Sequence, residues 1–453
     1  MKQKSRVSNL PEEILLVVFD HLKEIEPPVV SRDVARRFRR PRCNSDLGWL
    51  KIMHVCSLWR KIVASFSPLW LEIPGHRLPP VWVRNMLQYA RRDHLSLSLF
   101  LATTNFATTM DLIREVTKHT HRMSSLALDT DTAELLLRPN TVPNLQAVSI
   151  HGNAKRAAPG YPLIQPPLFD GPMPDKLHSL SLHDCFVVLN DAWLDGIVHF
   201  DITFPSSSYA VLEENLQSCW SLQTAARALP LMRRLETLKL VNAFPVIPDL
   251  RIVEHISAHP IQLPASLKTL TLYGPTFDGQ CFMACLFIPS TTTMDVTLVC
   301  GTDTAFMDLD LSAVFLPIFR TRPAPHALSL HLARGSEHAR PQLSVRTWSG
   351  EVDERTECIA CPESADVAVR VAARYNVRMG DARCSPLAFL FVCEQSRREV
   401  GCPLKRVEVV VGTEKKAVKG AMWWVDALRK RVADVRLTGE DYGAPLVMLK
   451  DMV

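Results

Sequence analysis

One string returns along most of this 453-residue chain and restricts its fold more than any other feature: apolar, two residues, apolar, one residue, apolar. It occurs at Met123-Leu126-Leu128, Leu145-Val148-Ile150, Leu177-Leu180-Leu182, Ile197-Phe200-Ile202, Leu235-Leu238-Leu240 and Leu267-Leu270-Leu272. It comes back at Leu404-Val407-Val409 and Val432-Val435-Leu437, with weaker forms at Val296-Leu298 and Leu328-Leu330. The last two apolar positions lie two apart, so on a strand they share a face and the residue between them points the other way. A chain that repeats this unit buries the same face each time. The expected fold class is therefore α/β, with short parallel strands side by side and a helical or extended return behind each. Helical returns are expected at Ala133–Leu137, Leu212–Ala228 and Phe282–Phe287. Pro143, Pro174 and Pro264 fall at loop-to-strand junctions.

The first six strings step by 22, 32, 20, 38 and 32 residues. With Asn153 and Cys185 three residues beyond Ile150 and Leu182, the pattern resembles an irregular leucine-rich repeat. The resemblance implies a solenoid over residues 76–453, whose outward strand residues line up as a surface for reading another protein. That row is Ala127, Ser149, Ser181, Asp201, Lys239 and Thr271, flanked by Asp129, His151, His183, Val241 and Tyr273. Ser149, Ser181, Lys239, Thr271 and Tyr273 are the candidate target contacts. An ordinary α/β domain with parallel strands is the alternative. The stretch from Ala333 to Cys402 carries the poorest repeat signal and reads as an insertion or degenerate repeats.

Ahead of the repeats, residues 1–75 have a different rhythm. Pro11 suits the first turn of a helix, where its missing N–H costs nothing, and Glu12 and Glu13 suit the dipole there. Ile14, Leu15, Val18, Phe19 and Leu22 form one helical stripe, and Pro27-Pro28 ends it. A second helical stretch starts near Leu47, with Leu50, Met53, Cys56 and Trp59 at three-residue steps; Ile62, Val63 and Phe66 make a third apolar set. Three short helices cannot hide this much apolar surface among themselves.

Leu10-Pro11-Glu12-Glu13-Ile14-Leu15, then Val55-Cys56-Ser57-Leu58-Trp59-Arg60, then Pro68-Leu69-Trp70 resemble the successive segments of an F-box. The run from Trp49 to Cys56 is similar to F-box-like proteins of large fungal families. An insertion over residues 25–46 separates the first helix from the second, a departure from the compact motif that some of those proteins share. The resemblance implies that the module docks on a Skp-type adaptor and, through it, on a cullin–RING ubiquitin ligase. It also implies that Leu10, Pro11, Ile14, Leu15, Phe19, Val55, Cys56, Trp59, Leu69 and Trp70 form the docking surface or its support. Helix-in-groove recognition asks for apolar anchors of this kind.

The remaining features exclude rather than suggest. Hydrophobic residues at 47% and charged residues at 22% are those of a globular chain, and a net charge of +5 calls for no nucleic-acid or membrane partner. Twelve scattered cysteines and the lack of an Asn-x-Ser/Thr acceptor fit a reducing compartment. With no convincing signal peptide and no long apolar run, a cytoplasmic or nuclear protein is expected. No P-loop, dinucleotide fingerprint, serine elbow or zinc-protease motif is present. Cys358 and Cys361 have the spacing of half a zinc site but lack two near partners, so no metal or cofactor is expected. Six arginines between Arg32 and Arg42 read as a solvated loop, and Trp423-Trp424 as core of a helix over Val418–Val432. The expected function is a non-catalytic receptor holding a target protein beside a ligase. The alternatives are an interaction scaffold outside any ligase and an enzyme with an unrecognised site.

Overall fold

The computed structural model describes residues 10–30, 45–46, 48–75, 78, 80–91, 94–100, 106–152, 163–164, 174–187, 189, 191–204, 220–247 and 250–300. Beyond these it describes the strands 327–333, 342–348, 367–373, 406–411 and 434–439. The fold is mixed α/β with extensive parallel sheet. Two compact units divide the chain, Met1–Val188 and Leu189–Val453.

The first unit opens with α1 (Glu12–Ile25). Glu26 and Pro27-Pro28 follow, and Val29–Val30 pairs antiparallel with Ser45–Asp46, closing the two ends of the insertion on each other. Gly48 then adopts a φ of 53° with the end of α1 packed where a side chain would stand, and the Trp49 N–H donates to the Glu26 carbonyl at 2.8 Å. The second helical stretch is a 3-10 helix, Gly48–His54. A three-residue step is the period of that helix, so Leu50 and Met53 share a face there. Cys56 and Trp59 belong instead to α2 (Ser57–Ser65), which Cys56 caps by accepting the Trp59 N–H on Sγ at 3.4 Å.

Trp70 is the pillar of this cluster. It is fully buried in the turn Ser67–Trp70, its Nε1 donates to the Val63 carbonyl at 2.8 Å, and its ring lies 5.2 Å from Trp49 and 4.9 Å from Tyr89. Tyr89 ends α3 (Pro80–Tyr89), which follows the first sheet strand, β1 (Glu72–Pro74).

Five parallel strands form the sheet of this unit in chain order: β1, β2 (Leu95–Leu99), β3 (Met123–Asp129), β4 (Ala147–His151) and β5 (Ser179–His183). Leu126, Val148 and Leu180 stand side by side, as do Leu128, Ile150 and Leu182, and all six are at most 2% exposed. The returns carry α4 (Phe106–Thr117) and α5 (Thr130–Leu137), the latter capped by Asp129 accepting the Thr132 N–H at 2.8 Å.

In the second unit β6 (His199–Thr203), β7 (Thr237–Val241), β8 (Thr269–Pro275) and β9 (Thr293–Cys300) run parallel in order. Their inward rows are Phe200, Leu238, Leu270, Met294 and Ile202, Leu240, Leu272, Val296, again almost fully buried. The string at Val296-Leu298 is thus displaced by one pair, and Met294 fills its first place. The returns hold α6 (Leu222–Leu231), α7 (Leu250–Ala258) and α8 (Thr276–Ala284). The helix expected over Phe282–Phe287 stops at Ala284, because Leu286–Phe287 pairs as a strand with Ile261–Gln262.

Beyond β9 the order is no longer sequential. β10 (Ala327–Ala333), β11 (Gln342–Trp348), β12 (Val367–Ala373), β13 (Arg406–Val411) and β14 (Asp434–Gly439) complete this sheet. β12 lies parallel to β9, β11 is antiparallel to both β12 and β10, and β13 and β14 run parallel beyond β10. The weak repeat signal between Ala333 and Cys402 therefore covers β11 and β12, and β11 breaks the all-parallel expectation. Cys358, Cys361, the run Arg32–Arg42 and the segment Val418–Val432 lie outside the described residues.

Two features recur at the strand ends. Before β4, β5, β6, β7, β8 and β9, an N–H at the strand approach donates to the carbonyl three residues back: Leu145 to Val142, Leu177 to Pro174, Ile197 to Leu194, Leu235 to Met232, Leu267 to Pro264 and Thr292 to Pro289. Two residues after the last inward position of β4, β5, β7 and β8 stand Gly152, Asp184, Asn242 and Gly274. Asp184 (φ 57°) and Asn242 (φ 51°) are left-handed, a conformation that Asp, Asn and Gly accept most readily.

Candidate functional site

α1 is amphipathic but its apolar stripe is split between inside and outside. Leu15 and Phe19 are buried on the side where the 3-10 helix, α2 and the turn Ser67–Trp70 pack. Ile14 (50% exposed), Val17 (57%) and Val18 (41%) face solvent, as do Leu10 and Pro11 ahead of the helix. Across the Phe19–Trp59 edge contact at 5.1 Å, α2 continues the surface. Val55 (59% exposed) and Leu58 point out, Cys56 is exposed at the helix cap, and Trp59 is half-buried. Leu69 and Trp70 are fully buried.

The ten residues singled out for docking thus fall into two groups. Leu10, Pro11, Ile14, Val55, Cys56 and, in part, Trp59 lie on the surface. Leu15, Phe19, Leu69 and Trp70 lie beneath it as packing. Sequence reasoning placed Val18 on the apolar stripe without making it a docking candidate, and singled out neither Val17 nor Leu58. Their signal was present, since four consecutive apolar residues, Leu15 to Val18, cannot all lie on one face of a helix. A cluster of large apolar side chains left this open is unusual on a globular surface and makes this the candidate interaction surface. Among the described residues no group of three or more His, Cys, Asp or Glu could hold a metal ion.

The outward sheet residues follow the expected register. In the first unit Ala127, Ser149 and Ser181 are directly opposite one another, and so are Asp129, His151 and His183. The His151 and His183 rings stack at 4.4 Å and 17°, Phe100 meets His151 edge-on at 4.9 Å, and Ser149 Oγ lies 3.0 Å from His151 Nε2. Burial raises the Asp184 carboxyl above its ordinary range, against the pull of His183. Asp129 is buried and occupied with its cap, so it drops out of the readable face.

In the second unit Asp201, Lys239 and Thr271 stand opposite one another, and Tyr273 pairs with Val241. Lys239 Nζ already meets Asp201 Oδ2 at 2.9 Å, and the Thr203 hydroxyl donates to Asp201 Oδ1 at 2.9 Å. Ser149 and Ser181 are therefore brought together, and Lys239, Thr271 and Tyr273 are brought together, each set within its own unit. All five are half-exposed.

Three of the cysteines are held as thiols by burial, while Cys56 is exposed. Burial pushes the Cys185 thiol up to about 12 while its Sγ contacts the Ile150 carbonyl, and burial raises Cys281 to about 11 and Cys285 as well. No helix among the described residues is long and apolar enough to cross a membrane. No protein-family model matches the chain, and no curated protein matches it either.

Proposed function

We propose that this chain is a non-catalytic substrate receptor of a Skp–cullin–F-box type ubiquitin ligase. On this reading the opening helices are an F-box-like module that docks on the Skp-type adaptor. The strands behind them are irregular leucine-rich repeats, whose outward rows hold a target protein. The receptor's contribution is positional: it raises the effective concentration of the target at the transfer machinery, which other subunits supply.

One observation carries the reading. Ile14, Val17 and Val18 on α1, Leu58 on α2 and Val55 between the 3-10 helix and α2 lie exposed, with Leu15, Phe19, Leu69 and Trp70 buried in the same module. The recurrent strand-approach turn, the in-register inward leucines and Asn242, whose Nδ2 donates to the Phe204 carbonyl at 2.9 Å, support the repeat reading.

The test is a pull-down of purified chain with a purified Skp-type adaptor. Wild type should retain the adaptor, and Ile14→Asp combined with Trp59→Ala should lose it. Failure of the wild type to retain it would make the chain an F-box-like interaction scaffold outside any ligase.

A further inference from the structure

We infer that the adaptor-docking face does not end with the F-box-like segments but continues onto the first turn of α3, through Val81, and that this part receives an apolar segment of the adaptor flanked by carboxylates. The inference rests on the function proposed above and extends it to residues outside the stretch that resembles an F-box.

The continuity is geometric. His54, at the end of the 3-10 helix, meets Trp82 of α3 edge-on at 6.3 Å and 70°. Val55 follows His54 and Val81 precedes Trp82, and the two valines are 59% and 61% exposed. α3 itself is anchored to the same cluster through the Trp70–Tyr89 contact, with Val83, Met86 and Leu87 buried beneath it. The His54–Trp82 contact thus brings the first turn of α3, which carries the exposed Val81, to the end of the 3-10 helix, which the exposed Val55 follows.

The charge pattern names the chemistry of the occupant. From Gly48 to Leu71 the sequence holds no Asp or Glu but carries Lys51, Arg60 and Lys61, all exposed. α3 also lacks any acid and carries Arg84, half-exposed. The acids of the opening module flank this stretch: Glu12, Glu13, Asp20 and Glu24 lie on α1, and Glu72 on β1 pairs with Lys23, while Arg84 lies within electrostatic reach of Glu115 on α4. The α2–α3 side of the face is thus apolar with a basic border. Its complement is a segment with apolar side chains and acidic neighbours, which is steered into place and held against solvent salt.

The experiment is a calorimetric titration of the full chain with a purified Skp-type adaptor. Val81→Glu should weaken binding about tenfold and Val81→Lys only a few-fold, because a lysine keeps the sign of the border. Lys61→Glu should weaken binding and flatten its salt dependence. Leu135→Glu, a surface leucine on α5, should bind as wild type. Since Val81 is exposed, unchanged melting temperatures should accompany all four. Wild-type affinity in both Val81 variants, alongside lost binding in Ile14→Asp, would overturn the extension and leave the proposed function standing. Equal losses for Val81→Glu and Val81→Lys would overturn the acidic occupant. No binding by the wild-type chain would overturn both.

Discussion

The opening helices and the sheet strands treat the same kind of side chain in opposite ways. On strands β3 to β9 every inward leucine, valine or isoleucine of the repeated string is sealed, with Leu238, Leu240, Leu270 and Leu272 all at 0% exposure. On α1 two of the five residues of the expected stripe are sealed and two lie open. The strands have neighbours on both sides that repeat the same burial, so each new strand completes the one before it. Among the described residues, α1 packs its Leu15 and Phe19 side against the 3-10 helix, α2 and the turn Ser67–Trp70. Burial of this kind holds a fold together, and exposure of this kind is where a second chain can add its own burial. The contrast makes stability and binding separable by mutation.

The largest expected effect on stability lies where the helices meet the sheet. Trp70→Ala removes a fully buried ring, its bond to Val63 and its contacts with Trp49 and Tyr89, and should cost about 3–5 kcal/mol in chemical denaturation. Leu270→Ala in the strand row should cost about 2–5 kcal/mol, whereas Val17→Ala on the open face should cost about 0.5 kcal/mol or less. A Val17 loss as large as that of Leu270 would erase the distinction between the two regions.

Smaller effects sharpen the comparison. Asn242→Ala takes away both a left-handed-tolerant residue and a donor to the Phe204 carbonyl, and should cost about 1–3 kcal/mol. Asp129→Ala, which strips the cap from α5, should cost about 1 kcal/mol. A double-mutant cycle on Lys239 and Asp201 should give a coupling below about 1 kcal/mol, since both ends reach solvent. In a site-resolved alkylation time course of the native protein, Cys56, exposed ahead of α2, should react well before Cys185, whose thiol is buried and raised to about 12.

Much of this was readable from spacing. The strands from Met123 to Tyr273 announce themselves through the six strings, because a period of two on a strand that must bury one face leaves little freedom of register. The outward pairs Ser149–Ser181 and Lys239–Thr271 follow from the same arithmetic. What spacing did not convey has physical reasons. The three-residue step from Leu50 to Met53 marks a helical stretch without fixing its kind, and it is the period of the 3-10 helix found there. β2 at Leu95–Leu99 has the alternation but lacks the preceding apolar residue, so it stood outside the pattern. The antiparallel β11 arises where the string gives out and chain order no longer dictates the neighbour. The stacking of His151 on His183 depends on side-chain rotation, which a strand pattern does not encode.

The central claim is that the apolar face of α1 and α2 is left open for another protein. Hydrogen–deuterium exchange of the full chain, with and without a purified Skp-type adaptor, tests it most directly. The account predicts slowed exchange over residues 12–25 and 55–65 when the adaptor is added, with the strands around Ser149 and Ser181 unchanged. Unaltered exchange in both helices at saturating adaptor, or protection confined to the strands, would contradict it.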